Sequence, residues 1–310
     1  MSFGDEEESL RGEHAQTPAG QVPTGAERDR GRPSRVSPLL LLFAVLLLAL
    51  LAVAAVLLWR SFGESISGTS VTRDSIGSAG PEPRVRLANA AGQVRVEGVK
   101  GSRSVDYEVT RYAMAADPAA AKQQASEVPV DISREDSKIV IETDGGEDTG
   151  ADYTLRVPTG GSVEVESEAG DVEVSGISGN VTAGAETGDV SVRDVGGDVK
   201  VEAPRGDVSL SNVNTDTGSA DLEVGSGDVS LEDLILGTLE ASVEAGDVTL
   251  SGRFSGDGRV SVETGDIIAR LPPEDTRDLT LQTRVGSVVR EPANGDSNGQ
   301  GSETQKRQGA

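Results

Sequence analysis

A five-residue phrase, Gly-Asp-Val followed by one polar and one apolar residue, returns through the second half of the chain at a near-constant interval. It reads GDVEV from Gly170, GDVSV from Gly188, GDVSL from Gly206 and Gly227, GDVTL from Gly246 and GDIIA from Gly265, with a decayed copy, GSVVR, from Gly286. Successive anchors are 18, 18, 21, 19, 19 and 21 residues apart. Half-copies at Gly179 (GNVTA) and Gly197 (GDVKV) fall midway, so each unit holds two strands. A unit this short cannot bury its own apolar face, so the period calls for a stack in which each rung covers the next.

The expected architecture is all-β: a parallel β-solenoid with rungs of about 18–21 residues. Glycine at the corner supplies a positive φ, and the following Asp can accept from nearby backbone amides. Stacking at about 4.8 Å would align Val172, Val190, Val208, Val229, Val248 and Ile267 in one column. Val174, Val192, Leu210, Leu231, Leu250 and Ala269 would form a second. Phe254 is the sole aromatic between 160 and 290, which suits a narrow aliphatic core. An antiparallel sandwich is the competing fold, but it does not require equal periods and identical corners.

Residues 83–157 alternate as half-buried strands, for example Val85/Leu87, Val94/Val96 and Tyr153/Leu155/Val157. Asp117 as a cap, Pro118 at the first helical position and Ala119–Ala125 predict a helix of no more than about two turns before Pro129. Tyr107, Tyr112 and Tyr153 are expected to pack at the start of the solenoid.

The repeats, the lead-in Asn89–Gly98 (NAAGQVRVEG) and the entry strand Tyr153–Pro158 (YTLRVP) resemble the bacterial "putative adhesin" domain family, whose function is unknown. The resemblance covers roughly 83–290. It implies a repeat-strand fold and an envelope location, and it brings no catalytic residues.

Upstream, Leu39 to Trp59 are 21 consecutive apolar positions without a charge. As a helix they would extend roughly 31 Å, enough to cross a bilayer. Arg28, Arg30, Arg32 and Arg35 precede the run, whereas Arg60 and then only Arg73 follow it. The positive-inside rule therefore predicts a cytoplasmic N-terminus and an extracytoplasmic C-terminal domain. The long polar lead weighs against a cleaved signal peptide. The expected organisation is a disordered cytoplasmic tail (1–37), a transmembrane signal-anchor (38–60), a stalk (61–82), the β-solenoid (83–290) and a disordered tail (291–310).

Composition narrows the chemistry. The chain has no cysteine and one histidine, His14, in the polar N-terminal tail. Disulfides, thiolate metal sites and histidine acid–base catalysis are therefore excluded. A net charge of −24 argues against nucleic acid as a partner. Between 161 and 270 there are 23 acidic and 6 basic residues. Stacking would set Asp171, Asp189, Asp207, Asp228, Asp247 and Asp266 about 5 Å apart, with Glu168, Glu186, Glu244 and Glu263 beside the corners. Two such charges repel by roughly 0.8 kcal/mol in bulk water and roughly 3 kcal/mol at an effective dielectric of 20. Solvent, salt and backbone hydrogen bonds are the plain relief. Calcium bound by these six aspartates is the sharper alternative, although the calcium nonapeptide G-G-x-G-x-D is not met.

Every acidic residue is accounted for by repetition, so no catalytic residue and no other cofactor is expected, and a polysaccharide-active enzyme is the weaker alternative. The expected function is a non-enzymatic, membrane-anchored surface for envelope adhesion or scaffolding. Its partner would be a glycan or protein of the envelope, with end-to-end self-association if the solenoid ends are uncapped. An envelope-stress or ligand-sensing regulator is the competing class.

Overall fold

A computed structural model describes residues 66–146, 148–272 and 279–292. The expected membrane helix (38–60) and the tail 1–37 lie outside the described residues. Among the described residues no helix is long and apolar enough to cross a membrane.

The repeat folds as a parallel β-solenoid. Among the described residues, nineteen strands and one helix follow the order β1 (Ile66–Ser78), β2 (Arg84–Ala91), β3 (Val94–Val99), β4 (Ser104–Ala115), α1 (Pro118–Glu127), β5 (Val130–Glu135), β6 (Lys138–Thr143) and β7 (Thr149–Pro158). Then come β8 (Ser162–Ala169), β9 (Val172–Ser175), β10 (Val181–Ala185), β11 (Val190–Val195), β12 (Val199–Arg205), β13 (Val208–Ser226) and β14 (Val229–Ala245). The last are β15 (Val248–Phe254), β16 (Gly258–Thr264), β17 (Ile267–Leu271), β18 (Leu279–Val285) and β19 (Val288–Pro292).

Two sheets face each other across the core. The first runs β5–β6–β2–β8–β10–β12, continues through the C-terminal halves of β13 and β14, and ends β16–β18. The second runs β1–β4–β7–β3–β9–β11, continues through the N-terminal halves of β13 and β14, and ends β15–β17–β19. Only β1–β4, β4–β7 and β5–β6 are antiparallel, which rules out the sandwich. Rungs are not stacked in chain order: β2 lies between β6 and β8, and β3 between β7 and β9.

Both expected columns form. Val172, Val190, Val208, Val229, Val248 and Ile267 are register partners in succession. So are Val174, Val192, Leu210, Leu231, Leu250 and Ala269, and all twelve are at most 2% exposed. Each buried Val or Leu contributes about 1.5–3 kcal/mol by leaving water.

Two boundaries differ from expectation. Part of the expected stalk is β1, paired antiparallel with β4 from Ile66↔Ala115 to Ser78↔Ser104. Its Ser- and Thr-rich sequence hides the strand, because what holds it is β4's otherwise open edge. The helix is ten residues, longer than two turns. Asp117 Oδ1 accepts from the amides of Ala119 (3.0 Å) and Ala120 (2.9 Å), and Pro129 stops it only after Val128. Ala121 and Ala125 are fully buried, and the helix packs on β1 and β4.

Candidate functional site

The corners determine where charge can sit. Gly170, Gly188, Gly206, Gly227, Gly246, Gly265 and Gly286 all have φ between +124° and +151°. From Gly188 onward, a Cβ at each would fall on the carbonyl oxygen of the corner glycine one rung before. The next residue then turns its carboxylate along the stack. Asp171 Oδ1 accepts from the amide of Asp189 at 3.0 Å, Asp189 from Asp207 at 2.8 Å, and Asp207 from Asp228 at 2.8 Å. Asp228 accepts from Asp247 at 2.9 Å, Asp247 from Asp266 at 2.8 Å, and Asp266 from Ser287 at 2.7 Å. The structure therefore brings together all six aspartates named as calcium candidates, and it gives one oxygen of each a backbone partner. Hydrogen bonds from the amide and hydroxyl of Ser287 hold the Asp266 carboxyl below its ordinary pKa. Among the described residues, no group of three or more His, Cys, Asp or Glu is arranged to hold a metal ion.

A second polar ladder escaped the sequence. Asn180 Oδ1 accepts from the Asp198 amide (3.1 Å), and Asp198 Oδ1 accepts from the Ser219 amide (2.9 Å). The half-copies at Gly179 and Gly197 were the available signal for it.

The outward faces of the two sheets differ in charge. On the second sheet the carboxylates sit beside guanidiniums. Glu173 bonds Arg95 (2.7 Å) and also Arg193, Glu97 lies 3.6 Å from Arg156, and Glu291 lies 2.9 Å from Arg270. Burial pushes the Glu173 carboxyl up, but the hydrogen bonds from Arg95 and Arg193 outweigh it and the net shift is downward. Along the middle of that sheet the outward row is Ser191, Ser209, Ser230 and Thr249.

On the first sheet carboxylates stack on carboxylates: Glu202 is the register partner of Glu223, and Asp221 of Glu240. Arg86 reaches Glu164 (3.3 Å) and Glu166 (3.0 Å), and Lys200 reaches Glu202 (2.6 Å). Two of the four glutamates expected beside the corners, Glu168 and Glu186, line a groove of about 500 Å³ together with Glu142, Asp144, Glu166 and Glu202. Among the described residues, no Lys or Arg lines it. Ala88, Ala90 and Gly184 are also among its lining residues. A second groove on this sheet, about 640 Å³, is lined by Asp221, Glu240, Asp257 and Arg259 among others.

Polar groups inside the core cluster at the N-terminal rungs. Asn89, Thr143 and Ser167 are buried; Asn89 Nδ2 donates to the carbonyls of Gly92 (3.1 Å) and Ala151 (3.0 Å). Thr143 shares a hydrogen bond with the Tyr153 hydroxyl, whose pKa burial raises. Tyr153 is buried and Tyr107 packs partly against the core, as expected of packing residues. No carboxylate is buried among the described residues.

The Toastrack DUF4097 family profile matches residues 104–309. The chain belongs to the Toastrack family. That family's function is unknown, and the earlier resemblance to "putative adhesin" domains agrees with the match. No curated protein matches the chain. Among solved structures, a "putative adhesin" from Bacteroides fragilis NCTC 9343 is 15% identical, with 72% of this chain and 97% of that one covered and a TM-score of 0.46. A "putative adhesin" from Parabacteroides distasonis ATCC 8503 is 15% identical over 71% of this chain and 96% of that one, with a TM-score of 0.38. A "Putative lipid binding protein" from the same strain is 9% identical over 72% and 97%, with a TM-score of 0.38. The Toastrack match begins at β4, so β1–β3 complete the first rungs from outside the matched segment.

Proposed function

We propose that this Toastrack chain is a non-enzymatic, membrane-anchored surface module, adhesin-like in use, whose acidic first sheet meets a cationic component of the cell envelope. The anchor is the apolar run Leu39 to Trp59, and the charge flanking it directs the solenoid outward.

The observation that carries the reading is the segregation of charge between two sheets built from the same repeat. Along the middle of the second sheet the fold accepts an uncharged outward row, Ser191, Ser209, Ser230 and Thr249. The first sheet nevertheless stacks Glu202 on Glu223 and Asp221 on Glu240. Like charges in neighbouring rungs weaken the fold, so their retention on one face supports recognition there. The carboxylates are exposed and repeated, without the buried, singled-out acid or base that catalysis requires.

The test is retention of the full chain on cell-wall, membrane and protein fractions of its own organism, with calcium and with chelator. Retention on one fraction is expected, weakened by salt and by Glu166→Gln, Glu202→Gln and Glu223→Gln together, and unchanged by Glu232→Gln on the second sheet. Retention indifferent to the triple substitution would defeat the proposal, and retention lost only with chelator would return the aspartate ladder to the calcium alternative.

A further inference from the structure

The two ends of the solenoid are finished differently. At the N-terminal end, α1 packs on β1 and β4, with Ala121 and Ala125 fully buried. At the C-terminal end there is no helix among the described residues, and the edge strands β18 and β19 are the last to pair. An open parallel edge of this kind is a template for another chain.

Three repeating ladders stop together at that rung. The inward column Val192, Leu210, Leu231, Leu250, Ala269 ends in Arg290. Arg290 is exposed, and its Nη2 donates to the backbone oxygen of Leu279 at 3.1 Å. Since Arg290 is on β19 and Leu279 on β18, the side chain reaches from one sheet to the other across the end of the core. In the first sheet the inward column Val243, Val262 ends in Thr283, whose hydroxyl turns back to the Gly265 oxygen at 2.9 Å. At the corner, Ser287 replaces the aspartate. It donates both its amide and its hydroxyl to Asp266 and has no carboxylate to offer a following rung. Leu281 and Val288 remain only partly buried around a cavity of about 690 Å³ that Thr283 and Arg290 also line.

We propose that this last rung is a built-in stop: Arg290, Thr283 and Ser287 bar a second copy of the chain from adding its strands to the C-terminal end. The inference goes beyond the adhesive reading and stands without it. A two-fold partner joined β18 to β18 and β19 to β19 would otherwise continue both sheets and cover Leu281 and Val288. Such a partner would trap two Arg290 guanidiniums in one apolar layer, and like charges desolvated together oppose the contact.

The experiment restores the repeat residues in the full chain, with Thr283→Val, Ser287→Asp and Arg290→Leu combined. Molar mass is read by light scattering in mild detergent over a hundredfold concentration range. The substituted chain should reach at least twice the wild-type mass and fall back when Leu281→Arg is added. A cooperatively melting triple variant that keeps the wild-type mass overturns the proposal. So does a wild-type chain whose own mass drops on Leu281→Arg. If the triple variant does not fold, Arg290→Leu alone is read by the same criteria.

Discussion

At each Gly-Asp corner two requirements fall on one residue. Gly227 has a φ of +148°, and a Cβ there would fall on the Gly206 oxygen. The strain of the backbone and the clash along the stack are separable, because Gly101 has a φ of +75° with nothing within 4 Å of its Cβ position. Gly101→Ala should therefore cost about 1 kcal/mol, the left-handed penalty alone. Gly227→Ala should cost on the order of 3 kcal/mol or more, since a neighbouring rung must also move. Thermal or denaturant unfolding of the two variants checks this, and equal losses would mean that the corner stack yields freely. The aspartate beside each glycine follows the same logic of repetition. Its carboxylate is the acceptor that the next rung's amide needs, which is why the aspartate recurs at six corners.

The helix and the first strand depend on each other. α1 has weak amphipathic patterning and buries only two alanines, so its isolated stability is small. Asp117 caps it, and Arg111, from β4, donates to the Val128 oxygen (3.5 Å) at its C-terminal end and to Thr72 Oγ1 (2.9 Å) of β1. A cation at that end also suits the helix dipole. Gly68 of β1 lies directly under the helix, where a Cβ would strike the backbone of Ala121 and Lys122. Gly68→Ala should loosen α1 and β1 together while leaving the later rungs intact. Hydrogen exchange is the measurement: faster exchange over 66–78 and 118–127, with 190–264 unchanged, is expected. Uniform acceleration would show that the N-terminal closure and the stack unfold as one unit.

Across the whole molecule, one repeat produces one neutral face and one acidic face. The paired ions of the second sheet are exposed and contribute little each, whereas the stacked carboxylates of the first sheet repel over distances comparable to the Debye length of about 10 Å at 0.1 M salt. Raising sodium chloride from low to moderate concentration should therefore raise the melting temperature by a few degrees. Glu223→Gln, which breaks the Glu202–Glu223 contact, should reduce that rise. A melting temperature that falls with salt would mean that ion pairs, not like-charge rows, dominate the surface.

The period of about 18–21 residues, the inward Val and Leu columns and the Gly-Asp corners were all legible in the sequence, because a parallel stack repeats its local demands at every rung. Phe254 as a lone large ring, Tyr153 as a core residue and Asp117 as a cap were legible for the same local reason. What the sequence could not show depends on partners far away in the chain. β1 looks like a linker until β4 offers it an edge, and rung order is hidden because β2 can pair β6 and β8 equally well. The sheets' unequal charge appears only when alternate residues are assigned to faces. The stop at Arg290 likewise emerges from the fold: Gly286 is visibly a decayed copy in sequence, but only packing shows a guanidinium reaching across the core to Leu279. Local chemistry determined the rung; register and long-range pairing decided the ends, the faces and the order of the stack.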